Sequence, residues 1–164
     1  MPSTPLEKTV ANINIDVLNT NGPMKDIVVV GSGSSELETY LEEAATAQDR
    51  YLIEEPTPER GYYYRSDHFN FAKAGVPALY AESGEDSIEH GKEWGAQQAQ
   101  DYTDNRYHAP SDEYNPDWNL AGAGQDIFLY FNIANKLSRE SHFPNWLEGN
   151  EFKGLRDATS SSRQ

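Results

Sequence analysis

Asp26-Ile-Val-Val-Val-Gly31, followed at once by Ser32-Gly-Ser-Ser-Glu-Leu-Glu38, is the stretch that decides the fold class. The unbroken apolar run between an acid and a glycine reads as a strand buried on both faces. Ser35 with Glu38 three residues on is a capping box, and it opens a helix to about Asp49 whose Leu37, Tyr40, Leu41, Ala44 and Ala45 share one face. A buried strand turning directly into an amphipathic helix is the unit from which α/β layers are built.

Working outward, residues 10–18 (Val-Ala-Asn-Ile-Asn-Ile-Asp-Val-Leu) alternate apolar and polar up to Asp16 and predict a strand with a carboxylate near its end. Asn19-Thr-Asn-Gly-Pro23 is a turn by composition, so this strand and the one at 26–31 are expected to pair as a hairpin. Downstream, Glu54-Glu55 before Pro56 reads as a solvated strand end. A short helix is predicted over Asp67–Ala74, capped by Ser66 and ended by Gly75, followed by a strand at Val76-Pro-Ala-Leu-Tyr80. Further helices are predicted over about Lys92–Asp104 and from Asp117 to about Arg139, the latter with Leu120, Ile127, Phe131, Ala134 and Leu137 as its apolar stripe. Residues 1–150 therefore predict one α/β unit, a central mixed sheet flanked by helices, and residues 151–164 a flexible tail that frays from Asp157 onward. Gly31-Ser-Gly33 opens like a dinucleotide fingerprint, but Glu36 stands where the third glycine belongs, and a plain strand-to-helix turn explains it.

Composition narrows the function. Of 164 residues 27 are acidic and 13 basic, a formal net charge of −14, which argues against nucleic-acid and anionic-membrane partners. A hydrophobic fraction of 37% is low, yet ten Tyr, six Phe and three Trp are too many aromatics for a disordered chain. The absence of cysteine excludes disulfides, thiolate zinc sites and cysteine nucleophiles, so any metal must be held by His and carboxylates. Met1-Pro-Ser-Thr-Pro5 lacks the basic and apolar regions of a signal peptide, and the sequence assigns no compartment. Neither a His-Glu-x-x-His helix nor a Gly-x-Ser-x-Gly elbow occurs, which removes two common hydrolase classes.

Two residues stand out as metal-ligand candidates. Asp16 falls at the carboxyl end of a strand, where α/β folds gather ligands. His108 lies in the loop Arg106-Tyr-His-Ala-Pro-Ser-Asp-Glu113. Read alone, each is equally a solvated strand-end acid and a surface histidine, and only a fold that brings them together makes them a site.

Three ordered signatures supply a resemblance: Ala11-Asn-Ile-Asn-Ile-Asp16, Ser66-Asp-His-Phe-Asn-Phe-Ala-Lys-Ala-Gly-Val-Pro-Ala78 and Tyr107-His-Ala-Pro-Ser-Asp112. From Pro5 to about Ser138 the chain resembles the C-terminal half of the catalytic domain of the co-catalytic, di-zinc aminopeptidases. That group includes bacterial leucyl aminopeptidases, glutamate carboxypeptidase II and, more distantly, glutaminyl cyclase. The resemblance implies a zinc-exopeptidase-like three-layer fold, a peptide substrate, and Asp16 and His108 as terminal ligands of two different zinc ions. Tyr107 matches the position of a tyrosine that steadies the tetrahedral intermediate, with a packing aromatic as the alternative. It further implies metal-assisted hydrolysis by a zinc-bound water, with a glutamate taking its proton. The family often works outside the cytoplasm.

The remaining ligands of that family, a His, a bridging Asp and a Glu, lie with the general base upstream of the Asp16 strand. No His occurs in the residues before that strand here. The sequence therefore leads to the expectation of a portion of a zinc aminopeptidase, inactive and poor in zinc when isolated. Two other readings stay open: a glutaminyl-cyclase-like acyltransferase, disfavoured because Tyr107 replaces the usual Trp, and a non-catalytic binding module. An unpaired sheet edge is expected to be exposed, and a homodimer to form through it.

Overall fold

A computed structural model of the chain describes residues 5–163. The residues read for a signal, 1–4, and the last residue of the tail, 164, lie outside that range. Four strands, β1 (Asn12–Asn14), β2 (Asp26–Val29), β3 (Tyr51–Glu54) and β4 (Ala78–Ser83), form one mixed sheet in the order β1-β4-β2-β3. β1 runs parallel to β4, β2 parallel to β3, and β4 antiparallel to β2. Helices α1 (Leu37–Thr46), α2 (Tyr62–Arg65), α3 (His68–Ala72), α4 (Lys92–Asn105), α5 (Ala121–Leu137) and α6 (Lys153–Ala158) complete an α/β fold. Among the described residues no helix is long and apolar enough to cross a membrane.

The β2–α1 unit is the one its sequence predicts. Ile27 and Val29 are buried, and Leu37, Tyr40, Leu41, Ala44 and Ala45 of α1 pack against them in the main core. The capping box forms only in part: α1 begins one residue later, after Glu36, the Glu38 carboxylate accepts the amides of Gly33 (2.9 Å), Ser34 (2.7 Å) and Ser35 (3.3 Å), and Ser35 Oγ accepts the Leu37 amide at 3.3 Å in place of that of Glu38. Of these, the Leu37 amide is a donor that the start of the helix leaves unpaired, and the other three belong to the turn leading into it.

Three expectations are corrected. β1 and β2 are not a hairpin, because β4 lies between them. The turn at Asn19 does not return the chain: the Asn19 amide donates to Gly22 O at 2.6 Å, and Asn21 and Asn119 form a bridge, so the segment is carried toward the start of α5. Of the stripe read on α5 only Leu137 is buried: Leu120, Ile127 and Phe131 are each more than half exposed, and the core takes Ala123, Leu129, Tyr130 and Ile133 with Leu137. Asp126 decides this. It sits on the buried face and meets Arg50 at 2.8 Å, both side chains almost wholly enclosed.

The third correction concerns residues 151–164. Instead of fraying, this segment forms α6 and a 3₁₀ turn over Ser160–Arg163, with Phe152 in a second core beside Ala72, Ala78 and Trp146. Arg156 is 2% exposed. Its guanidinium donates to Thr9 O and Val10 O, both at 2.9 Å, and to Pro144 O at 3.2 Å. Two backbone acceptors at the entry to β1 therefore depend on one side chain from the far end of the chain. Burial and the nearby Arg163 charge lower its pKa to about 10, which keeps it charged at neutral pH. Arg156→Met is expected to cost about 3 kcal/mol, since it leaves buried carbonyls without donors; urea denaturation measures it, and an unchanged midpoint would show that the C-terminal segment does not hold β1.

Candidate functional site

The register of the parallel pair, Asn12 to Ala78 and Asn14 to Tyr80, brings the ends of β1 and β4 out on the same side of the sheet. Asp16 follows two residues beyond β1, and its Oδ2 accepts hydrogen bonds from Ser66 Oγ and Tyr80 Oη, each at 3.1 Å. Ser66, expected as a helix cap, makes no side-chain cap to α3; its one hydroxyl proton is shared between Asp16 Oδ2 and Tyr62 O, the latter at 3.0 Å. Both bonds to Asp16 fall on one oxygen, which leaves Oδ1 without a protein partner among the described residues.

Tyr80 and Glu82, two apart on β4, share a face, and the one Tyr80 hydroxyl proton is shared between Asp16 and the Glu82 carboxylate. Burial raises the Glu82 pKa above the ordinary carboxylate range; the Tyr80 bond opposes this, and the charges of Asp16 and Glu55 add to it. Burial and the adjoining acids likewise push the Tyr80 phenol well up, with only Ser66 opposing. Glu54-Glu55, read as a solvated strand end, divides. Glu54 is exposed, whereas Glu55 keeps Oε1 buried without a partner and has its pKa raised, chiefly by burial and then by Glu59.

His68 lies beside this group at the start of α3. It is 0% exposed, enclosed between Tyr63 and Tyr80 at ring-centroid separations of 4.8 and 5.1 Å, and neither ring nitrogen has a hydrogen-bond partner. Burial lowers its pKa, overriding the opposing charges of Asp16 and Asp67.

Tyr107 and His108 follow α4 on an exposed loop, with their rings 4.1 Å apart. His108 takes a left-handed backbone conformation, φ 57°, uncommon for a residue with a Cβ. The preceding Arg106 lines a polar cavity of about 260 Å³ with Thr20, Asn21, Trp94 and Trp118, so this loop packs near the segment that leaves Asp16. Among the described residues no hydrogen bond joins Asp16 to His108, and no three His, Asp or Glu side chains converge as a metal site requires. The structure thus gathers Ser66, Tyr80 and Glu82 around Asp16 and leaves Tyr107 and His108 as a separate pair. Tyr80 and Glu82 were missed by the sequence reading. Their signal was the period of two on β4, which places them on one face.

The family model described as peptidase family M28 matches residues 2–132, and the chain belongs to that family. No similar protein is found among curated sequences, and no solved structure matches.

The buried imidazole makes a testable contribution to stability. Because folded His68 takes up a proton less readily than the unfolded chain does, its contribution is intact above the ordinary imidazole pKa of ~6.5 and is lost as pH falls below that value toward the lower folded one. His68→Phe, which removes two unpaired buried nitrogens, is expected to match or exceed the parent's thermal stability at neutral pH. It should also lose less stability than the parent on acidification to about pH 5. Thermal melts of both proteins across that range would refute this if the two fell in parallel.

Proposed function

We propose that this chain carries part of the active site of a zinc-dependent aminopeptidase, with Asp16 and His108 as ligands of two different zinc ions and Tyr107 as the hydroxyl donor to the tetrahedral intermediate. The supporting observation is the setting of Asp16, at the shared carboxyl end of parallel β1 and β4, held on Oδ2 by Ser66 and Tyr80 with Oδ1 left for a cation. Hydroxyl donors that fix a carboxylate are what a metal ligand needs around it, because they set its orientation before the ion arrives. The substrate class that follows is a peptide with a free amino terminus.

The donor set of the described residues does not fit a closed zinc centre. Zinc in a catalytic site takes three protein ligands, and here neither Asp16 nor His108 has two further donors beside it. Glu82 and Glu55 do not complete the set, since among the described residues neither converges with two other His, Asp or Glu side chains. What these residues do alone is position: Ser66 and Tyr80 orient Asp16, and the left-handed turn at His108 presents its ring beside Tyr107.

The isolated chain is therefore expected to retain far less than one zinc per molecule after loading and exhaustive dialysis, and to release no amine from an aminoacyl anilide. Elemental analysis and a chromogenic peptidase assay on the same preparation check both. Two firmly held ions with turnover would overturn the half-site reading.

A further inference from the structure

Three segments of the chain meet around the polar cavity of about 260 Å³: the turn at Thr20-Asn21, the part of α4 that carries Trp94 and Gln98, and residues 115–119. Its walls are tied together by backbone bonds, from the Gly22 amide to Asn119 O at 3.0 Å and from the Asn119 amide to Thr20 O at 2.9 Å. Asn115 Oδ1 accepts the Asp117 amide at 2.9 Å and folds the third wall into a turn. α4 can stand close because Gly95 has no side chain: a Cβ there would collide with Glu85 O. Each indole is steadied by a neighbouring ring, Trp94 by His90 at 4.3 Å and Trp118 by Tyr114 at 5.5 Å between centroids. The cavity is therefore formed before anything enters it.

Its lining is chemically specific. No Ala, Val, Leu, Ile or Met lines it; the walls are the two indoles and side chains that hydrogen-bond. Among the described residues the side chains of Thr20, Asn21, Trp94, Gln98 and Trp118 bond no other protein group, so their donors and acceptors are unspent. Arg106 Nε is likewise buried without a partner, while its Nη2 meets Asp101 at 2.7 Å. Arg106 and Asp117 give the lining one charge of each sign, and that of Arg106 is already balanced by Asp101. A carboxylate would meet Asp117 in a chain of net charge −14, and an ammonium would meet Arg106. A neutral ligand rich in hydroxyls meets neither penalty.

We propose that this cavity, walled by Trp94 and Trp118 and lined by Asn21, Gln98 and Arg106, binds a single neutral sugar unit. Pyranose hydroxyls donate and accept at once, which matches amide and guanidinium side chains, and the C–H face of the ring is the apolar surface an indole covers. At about 260 Å³ the cavity falls just below the ~300–1,000 Å³ of drug-sized sites, which suits one sugar ring and no more. The inference does not depend on the peptidase reading: it needs neither zinc nor turnover, and every lining residue lies between positions 20 and 119.

Saturation-transfer difference NMR on the full chain, with glucose, galactose, mannose and N-acetylglucosamine as probes, is expected to show transfer to the ring protons of at least one. The dissociation constant should be about 1–10 mM, as a ligand of roughly a dozen heavy atoms allows. Trp118→Ala, which removes a wall, and Gln98→Leu, which removes a hydrogen-bonding group, should each weaken it at least about tenfold. Ile88→Glu, at an exposed residue outside the cavity, should leave it unchanged. Far-UV circular dichroism verifies that the variants fold; were they unfolded, the indole N–H signals of the parent would decide. Those of Trp94 and Trp118 are expected to shift on sugar addition, while that of Trp146, bonded to Gly75 O in the second core, stays. No transfer to any of the four sugars at ten times that constant, binding undiminished in either folded variant, or unmoved Trp94 and Trp118 signals would each overturn the proposal. So would stronger binding of acetate or of N-acetylasparagine amide than of any sugar, which would assign the cavity to an anion or to a peptide side chain.

Discussion

One buried ion pair sets the geometry of this molecule. Arg50, just before β3, meets Asp126 of α5 at 2.8 Å and also donates to Asp26 O of β2 and Ser83 Oγ of β4, both at 3.1 Å. Ser83 Oγ in turn donates to the Asp126 carboxylate at 2.8 Å. Three strands and the longest helix converge on one charge pair whose desolvation is offset only because nearly every lone pair and proton around it finds a partner. Asp26 is tied to the same centre from its other end, its carboxylate accepting the amides of Glu85 and Asp86 beyond β4. The loop that leaves β4 is thereby fixed close to where the site begins.

That pair also explains why α5 misleads a reader of sequence. Hydrophobicity alone favours the face carrying Leu120, Ile127 and Phe131, the larger and more regular stripe. Pairing of Asp126 demands the other, because an acid at that depth is tolerable only against Arg50, and its helical neighbours Leu129, Tyr130 and Ile133 go inward with it. A single buried charge thus outweighs a periodic apolar pattern, and no count of apolar residues reveals it.

Elsewhere legibility follows the range of the interaction. The β2–α1 unit was readable because burial, capping and periodicity are written within some twenty consecutive positions. α4 and the strand at Ala78–Tyr80 were readable for the same reason. The strand order was not: whether β1 pairs with β2 or β4 turns on a side-chain bond from Asn19 within the 19–22 loop and on backbone bonds from that loop to Asn119, about a hundred residues away in sequence. The C-terminal segment reads as a polar tail because the acceptors of Arg156 are backbone carbonyls, which leave no mark in sequence. At the site, Asp16 was legible as a strand-end acid. Its partners were not, since Ser66 resembles a helix cap and Tyr80 a core aromatic until β1 and β4 are placed side by side.

These points meet at β1. Three residues of strand contribute few ladder bonds, so β1 is held less by the sheet than by its ends. Arg156 grips the carbonyls of Thr9 and Val10 where the chain enters, and Ser66 and Tyr80 grip Asp16 where it leaves. The position of the Asp16 carboxylate therefore depends on a contact with α6 as much as on its own hydrogen bonds, although the two lie at opposite ends of the strand. Val10, Ala11 and Ile13 pack on the main core from one side. Along the other edge no strand among the described residues pairs with β1, so a strand this short rests on the contacts at its two ends and on the core beneath it.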